Sequence, residues 1–384
     1  MKRTVLGFIA VCLFLLTSCA TTIEVRHLVP GEVDLCSSRN IAMSSTQPYR
    51  FSFGRPVSPW ISGLQETDFS LSSGYDSQLP KEVGQLTQQM LLSAVQSTGY
   101  FTTLPPLVTD AYLKLGVMGE NAKQMLADKG VQAVMQSEVT YMDIEEFVVG
   151  RDIRSFVTDA AGGKSYERIT SREYYLVQKA TMSFTYSLFE LQSNRILFTK
   201  SYTGKKERET KIGVRVYDAD GKGGYHDERL YSSGYAPSFK PLFKEILDDF
   251  EATIAKELAP SWQTYRVSLM ANKPKLAQAE SAFELVKSGS YEQAQKSFQF
   301  LWQTYGHVSS GYNAALLAEA LGNYDEAVHL MNIVYNTSGS AAAYKQLMRL
   351  KDVASKHERA KRQISGDVAI DGQGVLMTQL VIME

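Results

Sequence analysis

Few side chains in this 384-residue chain are spaced as chemistry requires. The stretch "GGKS" (162–165) has the lysine and hydroxyl that grip a phosphate, but the earlier glycine of such a loop would fall at Thr158. The next residues, "YERITSREYYLV", read as a strand rather than the helix whose N-terminus would hold the anion, so a hairpin loop is the better reading. In "DADGKGG" (218–224), Asp218 and Asp220 could offer oxygens to calcium, without the further ligands or distal glutamate of a calcium loop. The histidines at 27, 226, 307, 329 and 357 show no pair at metal spacing. Cys36 has no base beside it, and no strained serine elbow is present. Tyrosines 217, 225, 231 and 235 cluster in a polar loop, as loop anchors or a ligand surface. Asp248, Asp249 and Glu251 fall on the polar face of a helix. These patterns point to a non-enzymatic protein that carries neither cofactor nor metal.

Cys19 is different. It stands after Lys2, Arg3 and an apolar run from Val5 to Leu16, too short for the ~20 apolar residues of a membrane-spanning helix. The segment Leu16-Thr17-Ser18-Cys19 resembles the bacterial lipobox. That resemblance implies cleavage after residue 18 and acylation of Cys19, with the membrane reached through the lipid. Ala20, where an aspartate would resemble an inner-membrane retention signal, directs the expectation to the outer membrane, facing the periplasm. Without residues 1–18 the cysteines are Cys19 and Cys36, so no disulfide framework is available. The chain has 40 basic and 41 acidic residues, a balance that supplies no phosphate-neutralising surface and argues against a nucleic-acid partner. Its 44% hydrophobic and 11% aromatic content is that of a folded protein.

Helix and strand periodicities divide the rest. "RNIAMSST" (39–46) opens as a strand. Leu79, Val83, Leu86, Met90 and Ala94 recur at helical spacing behind Pro80. "NAKQMLADKG" is a second helix, ahead of a strand from Val131 to Tyr141. Met182, Phe184, Tyr186 and Leu188 alternate with Thr181, Ser183, Thr185 and Ser187, the signature of a half-buried antiparallel strand that "ILFTKSYTG" can pair. Phe239, Phe243, Ile246, Phe250, Ile254 and Leu258 form the buried stripe of a helix capped by Ser238 and stopped by Pro260. This α+β order, over about residues 30 to 260, is similar to the periplasmic domain of curli-secretion and penicillin-binding-protein-activator lipoproteins. No amphipathic transmembrane hairpin pair of the channel type is evident.

Downstream, "GSYEQA" (289–294) and "GNYDEA" (322–327) lie 33 residues apart, each between two helical patterns. Gly289 matches Gly322, Tyr291 matches Tyr324, and Ala294 matches Ala327. Glycine ends one helix, tyrosine fills the elbow, and alanine lets the pair approach. The unit resembles the tetratricopeptide repeat, with Gly306 and Gly339 near the place of the usual closing proline. A third helix presents Ala343, Leu347, Leu350 and Ala354 as a packing face.

The expected organisation is a signal peptide (1–18), a tether (19–38), a mixed, partly antiparallel α+β domain (39–262), all-α helical repeats with a capping helix (270–365) and an apolar tail (366–384). By resemblance to repeat grooves, Ala279, Phe283, Val286, Tyr312, Leu316 and Glu319 would line a partner groove or form repeat core. The expected role is a lipid-anchored scaffold for an envelope protein. The alternatives are small-molecule or glycan binding, or hydrolysis, by the α+β domain, or a subunit of an oligomeric export assembly.

Overall fold

The computed structural model describes residues 21–33, 39–50, 78–115, 120–158, 165–217, 225–230 and 237–365. Cys19, Cys36, the "GGK" of 162–164, the "DADGKGG" loop, Tyr231, Tyr235 and the 366–384 tail lie outside the described residues. In chain order the elements begin with strands β1 (Thr22–Val29) and β2 (Asn40–Met43), helix α1 (Leu79–Ser97), strand β3 (Thr102–Leu104), and helices α2 (Pro106–Leu115) and α3 (Glu120–Ala127). Four strands come next: β4 (Ala133–Thr158), β5 (Ser165–Glu190), β6 (Ile196–Tyr217) and β7 (Tyr225–Leu230). Then come α4 (Lys240–Leu258), β8 (Ser261–Ser268) and five helices: α5 (Ala277–Lys287), α6 (Tyr291–Tyr305), α7 (Val308–Ala320), α8 (Tyr324–Ser338) and α9 (Ala341–Ser365).

The chain forms two compact units. One spans Ser38–Leu258; the other joins Met1–Ser37 to Ala259–Glu384. The first is an α+β domain built on a six-stranded sheet in the order β3-β2-β4-β5-β6-β7. β2 runs parallel to β3 and β4, whereas β4, β5, β6 and β7 are antiparallel neighbours. Period-two sequence gives β5 two unlike faces. Met182, Phe184, Tyr186 and Leu188 are fully buried. On the other face Ser183, Thr185 and Ser187 pair their hydroxyls with Thr203, Ser201 and Thr199 of β6 at 2.7–2.8 Å. α1 and α4 pack on each other and on the sheet. Gly204 admits α4 to β6, since a Cβ there would stand 2.5 Å from Ile246.

The second unit combines the five helices α5–α9 with a two-stranded antiparallel ribbon, β1–β8, in register from Thr22 opposite Ser268 to Val29 opposite Ser261. Gly289 and Gly322 end α5 and α7 at φ +77° and +83°, a conformation that other residues rarely adopt. Ala282, Ala294, Phe298, Ala315, Ala327 and Met331 are completely buried between the helices. At Gly311 an added Cβ would meet Val334 at 2.6 Å and Trp302 at 2.8 Å, so α7 can sit this close only with glycine there. Nearly every residue of α7 from Ser309 to Glu319 is buried, which makes it the centre of the unit.

One expectation about a connector is corrected. Residues Thr22–Val29, within the stretch read as a tether, are a strand with Ile23 and Val25 buried at 1% and 0% exposure. The segment after Pro260 is that strand's partner β8.

Candidate functional site

The nominated partner groove is already filled. Ala279, Leu316 and Glu319 have no exposed surface and Val286 retains 5%. Phe283 and Tyr312 pack, partly buried, against the same core, which also contains Ile23, Val25 and Leu269. β1 lies against α7 and α9, so the chain's own ribbon covers the α7 side of the nominated groove. The correction has a plain physical cause: the inner helices carry an apolar face too large to leave in water, and β1 supplies the matching one.

Polar contacts fasten the ribbon. Glu319 of α7 accepts from His27 Nε2 of β1 at 2.8 Å and from Arg349 Nη1 of α9 at 2.6 Å, and Arg349 donates a second bond to its other oxygen. Burial alone would push the Glu319 carboxyl up; the bonds from His27 and Arg349 and their charge outweigh it and hold it below the ordinary carboxylate value. The His27 ring stacks on Tyr265 at 5.1 Å and meets the edge of Tyr324 at 5.9 Å. The Tyr324 hydroxyl donates to the Arg26 carbonyl at 2.7 Å, giving the elbow tyrosine of the second repeat a partner in β1. Beyond the strand, Gln363 of α9 exchanges two 3.0 Å hydrogen bonds with the Gly31 backbone.

Beside this seam, the start of α8 (Gly322 to Glu326) and Ala354, His357, Glu358 and Lys361 of α9 enclose an open cleft of about 460 Å³. His357 is 8% exposed, with its ring against Tyr324 (4.5 Å) and Trp262 (6.1 Å). Its Nδ1 is buried without a hydrogen-bond partner. Burial, aided by Lys361, holds this imidazole below its ordinary value and so favours the neutral ring. In the α+β domain a second cleft, of about 380 Å³, opens on the sheet between Asp143, Glu145, Lys179, Lys205 and Glu207. Lys179 and Glu207 pair there at 3.4 Å. Elsewhere in that domain Glu146 is 4% exposed, and burial raises its carboxyl despite a hydrogen bond from Gln178. Gln178 and Arg208 also donate to the Pro237 and Ser238 carbonyls at 2.8 Å, which fixes the entry to α4. Among the described residues no group of three or more His, Cys, Asp or Glu could hold a metal ion, and no helix is long and apolar enough to cross a membrane.

Sequence reasoning missed His27, Arg349, Ile23 and Val25. A signal existed in "TIEVRHLV", whose alternate residues Ile23, Val25 and His27 share one face. A second was Glu319, the single charged residue of α7.

The chain thus pairs a mixed α+β domain with a run of packed repeat helices. No family model and no curated protein matches it. Among solved structures it is similar to the PelC dodecamer from Paraburkholderia phytofirmans, at 8% identity, covering 61% of this chain and 98% of that one with a TM-score of 0.23. A lipoprotein from Neisseria meningitidis shares 12% identity over 44% of this chain and 81% of its own, TM-score 0.21. A putative neuraminyllactose-binding hemagglutinin homolog from Helicobacter pylori shares 10% over 60% and 91%, TM-score 0.24. Superpositions this loose carry no argument about function.

Proposed function

We propose that this protein is an outer-membrane lipoprotein, acylated on Cys19 and facing the periplasm, that serves as a non-enzymatic scaffold for another envelope protein. The observation that carries the binding role is the set of large apolar side chains left exposed on the repeat helices. Phe300 and Tyr305 of α6 are 59% and 52% exposed, and Tyr344 and Met348 of α9 are 47% and 39% exposed. Their neighbours Phe298, Leu301 and Leu347 turn into the core, so these helices carry more apolar surface than their own packing uses. The guest surface is therefore on the outside of the repeats, and Ala279, Phe283, Val286, Tyr312, Leu316 and Glu319 support it from within. The α+β domain's polar cluster gives less support to ligand binding, because Gln178 and Arg208 are committed to the α4 entry.

A photo-crosslinking residue placed at Phe300 or Tyr344 in the membrane-bound protein tests the scaffold. The expected outcome is a discrete adduct with one envelope protein, lost when Tyr305→Asp is added. Adducts that are absent or unselective at both positions, in a protein shown by mass to be acylated, count against it.

A further inference from the structure

Described structure starts at Thr21, two residues after Cys19, and two residues span at most ~7 Å of extended chain. The Thr21 carbonyl accepts from Leu269 N at 2.8 Å, and Thr22 pairs with Ser268, so the repeat unit begins almost at the lipid attachment point. The chain that leaves β8 at this same end, residues 270–276, is pinned along its length. Asn313 accepts from Met270 N at 2.7 Å and donates to Met270 O at 2.9 Å. Ser309 donates to the Lys273 carbonyl at 2.7 Å, and His307 Nε2 donates to the Pro274 carbonyl at 2.9 Å. Asn272 closes the loop by accepting from Leu276 N at 2.9 Å. All three anchoring side chains of α7 and its cap, His307, Ser309 and Asn313, are buried. The result is a rigid shelf with Ala271, Lys273 and Lys275 exposed, and neither lysine is in an ion pair among the described contacts.

We propose that this shelf rests on the phosphate-bearing lipid headgroups of the membrane that holds the Cys19 acyl chains. A leash this short leaves the 270–275 loop no room to stand away from the bilayer, and two ammonium groups carried on this pinned backbone match the headgroup phosphates. The repeat unit is then held against the membrane with its α5–α9 end defined, instead of swinging on a tether. The inference rests on acylation of Cys19.

The test uses the protein as the producing cell processes it, carrying Cys36→Ser, in vesicles of phosphatidylethanolamine and phosphatidylglycerol that contain spin-labelled lipid. A fluorophore is attached through Ala271→Cys on the shelf, or through Ser288→Cys, exposed at the opposite end of α5 and about 16 Å along that helix axis. The label at 271 is expected to be strongly quenched and the label at 288 to be little affected. A second form with Lys273→Glu and Lys275→Glu is expected to stay bound but lose that difference. Protein that does not float with the vesicles overturns the acylation and the inference with it. Protein that floats with both labels quenched alike, or neither, overturns the inference alone, and an unchanged pattern in the charge-reversed form removes the lysines from the contact.

Discussion

Glu319 has no exposed surface, yet its carboxylate stays ionised because His27 and Arg349 converge on it. A buried carboxylate in such a site is costly to disturb from one side. Glu319→Ala is expected to destabilise the repeat unit by about 3 kcal/mol, read as a lower denaturant midpoint, since two donors lose their acceptor in an apolar core. The pH dependence arises from the same groups. Glu319 has a folded value below the ordinary carboxylate value, so its contribution is complete above that value and is lost as pH falls through the folded one. His357 is likewise lowered by burial and Lys361, with Glu358 opposing; its contribution is complete above the ordinary imidazole value and lost on acidification. Both act in one direction: acid loosens the ribbon seam. Glu319 acts only below the ordinary carboxylate value, so from about pH 7 to about pH 5 His357 carries the effect: thermal scans should show the repeat unit's midpoint falling, and the fall should be smaller in His357→Phe. A midpoint that rises on acidification would rule out this assignment.

At the scale of elements, the ribbon is the part of the repeat unit with the largest sequence separation, and its β1 strand buries the apolar side chains Ile23, Val25 and Leu28. Ile23→Ala should cost roughly 2–4 kcal/mol, as removal of a fully buried aliphatic chain does, whereas Thr22→Ala on the exposed face should cost almost nothing. Chemical denaturation of both variants checks the contrast. Gly311→Ala should destabilise by about 1–3 kcal/mol through overpacking against Trp302 and Val334. Much of the fold was legible locally: the β5 alternation and the α4 stripe are repeated contacts between near neighbours in sequence, and such contacts leave a period. The α+β class and the packed repeat helices emerged from them. β1 has the alternation of a strand, but nothing local names β8 as its partner, because Thr22 meets Ser268 across the whole intervening α+β domain. For the same reason the helices that carry the six groove residues were legible, while the strand that packs on α7 lay at the other end of the chain.

For the whole molecule, two units with separate cores should lose structure as two events. Calorimetry should resolve two transitions, one lowered by Phe184→Ala in the α+β domain and the other by Met331→Ala in the repeats, each leaving its counterpart in place. The account's central claim is that the strand Thr22–Val29 is built into the repeat core. Hydrogen exchange of the protein, read by mass spectrometry on the 21–29 segment, tests it most directly. The account predicts that the amides of Ile23, Val25 and His27 are protected to the same extent as those of β8, and that Glu319→Ala reduces this protection. Exchange of the 21–29 amides within seconds in the native protein, at the rate of an unstructured tether, would contradict it.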